Sequence, residues 1–327
     1  MPINSHLKLV KNLDTPTQKP IRDGFGNALV ELGPKKDVVV LCADLKESTR
    51  CEWFSKQFPK QFIESGVAEQ NMASIGAGLA LMGKIPFIAS YAMFSPGRNW
   101  EQIRTTIAYN NVPVKIIGSH AGISVGPDGA THQALEDVAI MRTMPNMTVV
   151  VPCDTEEARK AAHALYQYNS PCYLRLAREK TAVITTAQTP FTIGKAEVLW
   201  TSKKPVCTII ANGPIVYEAL VAARALEKKK IQVMVLNNHT VKPIDTATIV
   251  RAAKICGAVV TAEEHQIMGG MGSAVAEVLA QKHPVPIEFI GVHDCFGESG
   301  MPRELMQKFK LTHKDITLAV QRVIRRK

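Results

Sequence analysis

The sequence contains no long hydrophobic run. Its apolar segments are short and repeatedly interrupted over 327 residues, and none reaches the ~18–20 apolar residues of a membrane-spanning helix. The first residues also lack the basic region and extended apolar core of a secretory signal. We therefore predict a cytoplasmic protein that does not associate with a membrane.

Cysteine pairs are missing as well. The seven cysteines are odd in number and scattered along the chain, with no Cys-x-x-Cys pair and no Cys/His cluster. This pattern predicts reduced thiols, an intracellular setting and no structural zinc.

A basic patch interleaved with aromatic residues is also absent, although the formal net charge is +10. The basic residues are dispersed and do not alternate with aromatic residues, so we expect no binding of nucleic acid. A phosphorylated small substrate or an acidic partner fits this charge better. We expect most of the charges to lie on a solvated surface.

What the chain does contain is an alternation of β-branched apolar runs with amphipathic stretches. Such alternation is typical of an α/β fold with a mostly parallel sheet covered on both faces. Asp154 is predicted to cap a helix. The first strands are predicted at 38–41, 114–117 and 148–151, and helices at 100–107 and 155–162.

A second α/β unit follows a Thr-rich stretch without clear periodicity at 180–190. Because domains commonly hold ~100–200 residues, we predict two doubly wound α/β domains, 1–190 and 191–327. The strands of the second are predicted at 206–210, 231–236, 258–261 and 287–290, and its helices at 217–228 and 273–281.

The segment Gly-Val-Ala-Glu-Gln-Asn-Met at 66–72 places the carboxylate of Glu69 between small and apolar residues. It joins a predicted short strand, 61–65, to a predicted helix of small residues, 73–80. A carboxylate desolvated in this way suits a hydrogen bond shared with a ring nitrogen. The alternative, supported equally by this segment, is a helix N-terminal Glu satisfied by free backbone N–H groups.

A glycine-rich loop at 118–133 carries His120, Asp128 and His132 directly after a predicted strand. Ligands bind at the carboxyl ends of strands in parallel sheets. Two imidazoles and a carboxylate there can bind sugar hydroxyls and move protons near neutral pH, which predicts a functional loop. By contrast, we interpret the glycine-rich turn at 269–273 as a tight connection rather than an anion site.

Three motifs together resemble those of transketolases. They are Ala-Asp-Leu-Lys-Glu-Ser-Thr at 43–49, the segment at 66–72, and the loop extended to Gln-Ala-Leu-Glu-Asp at 133–137. The resemblance covers essentially the whole chain but only the C-terminal half of a typical transketolase. It implies a thiamine diphosphate pyrimidine-binding domain, then a smaller transketolase C-terminal domain, and transfer of a two-carbon ketol unit between phosphorylated sugars.

The resemblance also implies roles for single residues. Glu69 would hydrogen-bond the aminopyrimidine ring of the cofactor and favour its imino tautomer. Phe94 and Tyr91 would form the aromatic pocket for that ring, although core packing is nearly as good an interpretation of Tyr91. Asp44 would lie near the cofactor, or would have only a structural role.

For the sugar, the resemblance implies that His120 and His132 contact the donor and its developing oxyanion. Asp128 would recognise the hydroxyl next to the carbonyl. Some relatives carry Gln in place of His132. The sugar phosphate would be held by the guanidinium fork of Arg178, with Arg22 and Ser48 either helping or having structural roles.

One family motif is missing. Transketolases hold the diphosphate through a divalent cation, which needs the oxygen ligands of a Gly-Asp-Gly and a downstream Asn. The two Asp-Gly pairs here, at Asp23 and Asp128, do not follow a glycine. We therefore predict a C-terminal subunit with its own natural start, inactive alone. A separate N-terminal subunit would bind Mg²⁺ or Ca²⁺, in a heterotetramer with two copies of each.

Three other functions stay open. The β subunit of a 2-oxo-acid dehydrogenase has similar length and a pyrimidine-side Glu, but it serves substrates without phosphate. A half of 1-deoxyxylulose-5-phosphate synthase has a similar loop. A non-catalytic regulatory subunit is disfavoured, because it would have no need of a buried Glu69.

Overall fold

The computed structural model describes residues 3–10 and 12–327. Within them the chain forms a seven-stranded sheet, a five-stranded sheet and a two-stranded ribbon. The strands are β1 (Gln18–Pro20), β2 (Val38–Cys42), β3 (Phe62–Glu64), β4 (Ile85–Tyr91), β5 (Lys115–Ser119), β6 (Thr148–Val150), β7 (Cys172–Arg175), β8 (Lys180–Ala182), β9 (Glu197–Thr201), β10 (Cys207–Ala211), β11 (Val233–Asn237), β12 (Thr240–Lys242), β13 (Val259–Gln266) and β14 (Ile287–Val292).

Helices connect most of these strands. They are α1 (Ile21–Leu32), α2 (Lys46–Thr49), α3 (Cys51–Gln57), α4 (Glu69–Leu81), α5 (Trp100–Gln102), α6 (Asp137–Arg142), α7 (Thr155–Tyr166), α8 (Ile215–Lys228), α9 (Thr246–Cys256), α10 (Met271–Lys282), α11 (Pro302–Lys308) and α12 (His313–Ile324). Short 3₁₀ helices span Ser5–Leu7, Pro59–Gln61 and Ile123–Asp128, and a π-helix spans Ile103–Ala108. None of the helices in the described ranges is both long and apolar enough to cross a membrane.

The seven-stranded sheet has the order β12-β6-β7-β5-β4-β2-β3, and every pair except β12–β6 is parallel. Strand β2 is buried along its whole length, because side chains that alternate along it pack against different helices. Val38 and Val40 join α1 and α7 in one apolar cluster, whereas Val39 and Leu41 join α4 in another. Helices thus cover both faces, as expected for a parallel sheet.

The five-stranded sheet has the order β14-β13-β10-β11-β9, and only the edge strand β9 is antiparallel. Helix α12, which carries a capping box at Thr312 and Asp315, covers one face together with α8. The prediction of an α/β fold with mostly parallel sheets is confirmed.

The two sheets are joined by a strand of the second unit that pairs with the first sheet. Strand β12 follows β11 along the chain, yet it pairs antiparallel with β6 of the seven-stranded sheet. Nearby, the Asn237 amide donates to the buried Glu157 carboxylate at 2.7 Å. Burial and the charge of Asp154 raise the pKa of Glu157 to about 7. Asp154 also caps α7 as predicted, since its side chain accepts from the backbone N–H of Glu157.

The turn at 269–273 precedes α10, and a carboxylate of the chain already fills its helix N-terminus. Glu263 accepts the backbone N–H groups of Met271 and Gly272, both at 2.8 Å. The interpretation of this turn as a tight connection agrees with that arrangement. The helix predicted at 100–107 is instead a single α turn that continues into the π-helix.

Candidate active site

Four neighbouring strands of the seven-stranded sheet end at the same edge, and predicted site residues follow each of them. Asp44 lies just beyond β2, and Glu69 begins the helix after β3. Tyr91 is the last residue of β4, and His120 directly follows β5. The carboxyl edge of a parallel sheet is where ligands bind in such folds, and the alignment of the strands places these residues along that edge.

Glu69 is the first residue of α4 and only 1% exposed. Its Oε2 accepts a hydrogen bond from Arg98 Nη1 at 2.7 Å, and its backbone carbonyl accepts from the Asn99 amide at 3.0 Å. Its carboxylate is therefore held by a guanidinium, and not by the free N–H groups of its own helix. No local pattern in the sequence indicates Arg98, because the pairing depends on how the turn after β4 folds back.

Four rings pack together, and Arg98 connects them to Glu69, because its guanidinium also lies over the Phe94 ring. Tyr91 and Phe94 are stacked with centroids 6.0 Å apart and planes 14° apart. His120 stacks on Tyr91 at 3.9 Å, and His132 meets the Phe94 ring edge-on at 5.5 Å. Two segments predicted separately, the turn after β4 and the glycine-rich loop, thus form one aromatic wall.

His120 is 1% exposed, and both of its ring nitrogens have partners. Arg22 Nη1 lies 2.9 Å from Nε2, and Ser119 Oγ lies 2.9 Å from Nδ1. Because a guanidinium can only donate, Nε2 accepts and Nδ1 carries the hydrogen. Burial, and then the charges of Arg22 and Arg178, lower the pKa of His120 to about 2. The imidazole is neutral at physiological pH.

A cavity of about 220 Å³ opens next to His120. Arg22 projects into it, held by the backbone carbonyl of Ser48 at 2.9 Å. Burial, and then the charge of Arg50, lower the pKa of Arg22; a bound anion would favour the charged form and oppose both effects. The lining residues are Arg22, Glu47, Ser48, Arg50, Tyr91, His120 and Arg178.

Asp128 and Arg178 face each other across the loop. Arg178 Nη1 donates to the backbone carbonyl of Val125 at 2.6 Å and lies 3.6 Å from Asp128 Oδ1. His132 Nδ1 lies 2.9 Å from Thr131 Oγ1 and is only partly buried. These residues line the open side of the site.

Asp44 stands apart from this group. Its side chain is exposed, and its backbone N–H donates to Glu64 at 2.8 Å. Within residues 3–10 and 12–327, no three His, Cys, Asp or Glu side chains come together as a metal site. Sequence reasoning also missed Arg50 and Glu47. Arg50 directly follows the motif at 43–49, and that adjacency was the available signal.

Family profiles identify the chain across most of its length. The profile described as transketolase, pyrimidine binding domain, matches residues 17–183. The profile described as transketolase, C-terminal domain, matches residues 194–316. The chain belongs to the transketolase family.

Individual transketolase relatives match over nearly their whole length. A 6-deoxy-6-sulfo-D-fructose transketolase subunit from Clostridium sp. (strain MSTE9) is 43% identical over 94% of this chain and 95% of its own. A putative transketolase C-terminal section from Methanocaldococcus jannaschii is 43% identical, over 91% and 94%. A solved structure described as a split gene transketolase, inactive beta4 tetramer, has a TM-score of 0.87 and 43% identity over 94% of this chain and 98% of that one.

In this transketolase-family chain, the glycine-rich loop lies in the region that matches the pyrimidine-binding domain. Residues of the region that matches the C-terminal domain hydrogen-bond this loop. The Glu264 carboxylate accepts the backbone N–H of Ser124 at 2.5 Å. The Gln133 amide donates to the backbone carbonyl of Glu298 at 2.9 Å. Arg175 pairs with Asp137 at 2.7 Å and also donates to the carbonyl of Glu264.

Proposed function

We propose that this chain is the C-terminal subunit of a two-subunit transketolase that moves a two-carbon ketol unit between phosphorylated sugars, with thiamine diphosphate as cofactor. Family membership supports a transferase of the transketolase type. The single observation that supports the cofactor assignment is the buried carboxylate of Glu69, which Arg98 links to the stacked rings of Tyr91 and Phe94.

These residues fit the aminopyrimidine end of thiamine diphosphate. Glu69 offers a carboxylate that can accept a ring N–H, and its burial excludes the water that would compete for that hydrogen bond. Phe94 and Tyr91 offer planar apolar faces on which a heteroaromatic ring can pack. When bound, the cofactor supplies the carbanion chemistry for transfer of the ketol unit, while the protein supplies binding and orientation.

The two histidines are proposed to have different roles. Nε2 of His120 already accepts from Arg22, so His120 orients that arginine toward the cavity and keeps the site free of an added charge. His132 is partly buried, and among the described residues its ring is hydrogen-bonded through Nδ1 alone, which leaves Nε2 for a proton or a sugar hydroxyl. Asp128 lies at the same opening and is proposed to accept a sugar hydroxyl.

The cavity lined by Arg22, Arg50 and Arg178 is proposed to bind the anionic end of the sugar. Guanidinium groups bind phosphate through several N–H donors in one plane, with Ser48 as a helper at the rim. A second candidate is a sugar with a sulfonate end, because the Clostridium relative is named for a sulfo-sugar. Both anions present oxygen acceptors to the same arginines.

The diphosphate end of the cofactor is assigned to a separate N-terminal subunit, which would also bind Mg²⁺ or Ca²⁺. The absence of a Gly-Asp-Gly motif from the sequence supports this division, as do relatives described as a subunit and a split gene product. Two copies of each subunit are proposed, in the cytoplasm. Asp44 is proposed to lie on the side that faces the cofactor.

The test combines this chain with the N-terminal subunit, thiamine diphosphate and Mg²⁺, and measures ketol transfer from xylulose 5-phosphate to ribose 5-phosphate. Glu69→Gln should reduce the rate by on the order of 10²–10³, since general acid–base groups contribute on that scale. Glu52→Gln, which changes an exposed helix pair with Lys56, should stay within about twofold of the unmodified complex.

Three results would count against the proposal. They are ketol transfer by this chain without its partner, full activity of the Glu69→Gln complex, and turnover of pyruvate in place of ketose. Pyruvate with a lipoyl carrier would indicate a dehydrogenase subunit. Pyruvate with glyceraldehyde 3-phosphate would indicate the synthase.

A further inference from the structure

Arg98 makes two contacts at once. Its Nη1 donates to Glu69 Oε2 at 2.7 Å, and its guanidinium carbon lies over the Phe94 ring, 4.6 Å from the centroid. These are the two interactions that the proposed function assigns to the aminopyrimidine ring. Like that ring, a guanidinium is planar and carries N–H donors in its plane.

The contact with Arg98 compensates the buried charge of Glu69. Glu69 is almost fully buried, and a buried charge without a partner is strongly unfavourable. Within the described residues, Arg98 is the only side chain that hydrogen-bonds this carboxylate. A planar cation stacked on Phe94 therefore stabilises the site until another donor arrives.

Arg98 is also placed so that it can leave. It lies in the turn between β4 and α5, and its side chain is 45% exposed, against 1% for Glu69. Its charge can thus return to water when the contact breaks, whereas the carboxylate cannot. The two partners differ in this respect, which is what an exchangeable contact requires.

We propose that the guanidinium of Arg98 stands in for the aminopyrimidine ring in the cofactor-free chain and is displaced when the cofactor binds. The inference rests on the proposed function of Glu69 and Phe94. It makes Arg98 a positioning residue that keeps the pocket formed and competes with the cofactor. Loss of Arg98 should then strengthen cofactor binding while weakening the cofactor-free fold.

The test is calorimetric titration of thiamine diphosphate, with Mg²⁺, into the assembled two-subunit complex, which needs no turnover. Arg98→Met keeps the length of the side chain and removes the charge and the planar donors. We expect its Kd to fall at least fivefold, and the melting temperature of the cofactor-free complex to fall as well. Arg104→Met is the matched control, because Arg104 is exposed and makes no side-chain hydrogen bond within the described residues; its Kd should be unchanged.

A structure of the same complex with bound cofactor provides the second measurement, and it remains decisive if Arg98→Met fails to fold. Displacement of Arg98 from both Glu69 and Phe94 supports the proposal. An unchanged or weaker affinity of Arg98→Met, or an Arg98 that keeps both contacts in the bound state, overturns it. If the unmodified complex binds no thiamine diphosphate at all, the proposed function itself fails and this inference fails with it.

Discussion

His120 shows how the backbone conformation and contacts of a single residue determine the electrostatics of the site. It has a left-handed backbone, with φ of 53°, a conformation that few non-glycine residues adopt. That turn directs the ring back onto Tyr91 and places Nε2 against Arg22. Since the neighbours are arginines and the ring is buried, the neutral imidazole is the form that the fold stabilises.

This neutrality predicts how stability depends on pH. The pKa of His120 is about 2 in the fold and about 6.5 in the unfolded chain, so the unfolded state binds more protons between these values. Stability is then lost as pH falls below about 6.5. Between pH 7.5 and pH 5, the free energy of unfolding of the unmodified chain should fall by about 2 kcal/mol more than that of His120→Gln. Urea unfolding at each pH measures this difference.

Other buried groups titrate in both proteins and cancel in this comparison. They include His239, because burial lowers its pKa to about 3, and Glu157, whose raised pKa makes stability increase rather than decrease as pH falls. His6→Gln is the exposed control and should keep the pH dependence of the unmodified chain. Equal slopes for His120→Gln and the unmodified chain would show that the imidazole is not held neutral.

At this scale the sequence located residues by their order along the chain, and it missed those whose partners are distant. His120 was found because its loop follows a predicted strand, and Glu69 because it stands between a predicted strand and a predicted helix. Asp44 and Tyr91 were assigned only by the resemblance to transketolases. Arg98 reaches Glu69 across 29 positions, and no local pattern predicts that pairing. The roles proposed for the site residues stay predictions until they are tested.

At the scale of elements, strand β13 connects the second sheet to the site. Its Glu264 reaches the loop at 122–128, and burial raises the pKa of that carboxyl. Gly122 has a φ of 91°, and a side-chain carbon there would lie 2.5 Å from Glu264 Oε1. The loop therefore needs glycine both for its backbone conformation and for the close approach of the carboxylate.

We predict that Glu264→Ala loosens this loop. It leaves the buried N–H of Ser124 without an acceptor, which should cost roughly 1–3 kcal/mol of unfolding free energy. Hydrogen exchange at the Ser124 amide should accelerate, and KM for the sugar should rise in the assembled complex more than kcat falls. Glu264→Gln retains an acceptor oxygen and should have the smaller effect. Similar exchange rates in Glu264→Ala and the unmodified chain would contradict this account.

Strands were predictable from short runs rich in apolar residues, as at 38–41 and 287–290. The boundaries of β13 were not, because it continues through Glu263, Glu264 and His265, which are polar in sequence. Glu263 is buried against the start of α10 and Glu264 against the loop, whereas His265 accepts from the backbone N–H of Ala139 on α6. The π-helix after α5 was likewise invisible, since its residues have an ordinary helical pattern.

At the scale of the whole molecule, the two sheets share structure beyond a simple linker. Strand β12 completes the first sheet although it belongs to the second unit in sequence. One apolar cluster also contains Val39 and Leu41 of the first sheet together with Met234 and Leu236 of the second. The domain boundary near residue 190 remains a prediction, because these contacts cross it.

This sharing predicts that the two sheets unfold together. The chain has three tryptophans, of which Trp53 lies on α3 and Trp200 on β9. Variants that keep only Trp53 or only Trp200, with the others changed to Phe, should report the same midpoint in urea, as expected for one cooperative unit. Asn237→Ala removes the donor to buried Glu157 and should lower the free energy of unfolding by roughly 1–3 kcal/mol. Both tryptophans should report the same decrease in the urea midpoint. Two separate midpoints, or a shift seen by one tryptophan alone, would mean that β12 and the shared cluster do not couple the sheets.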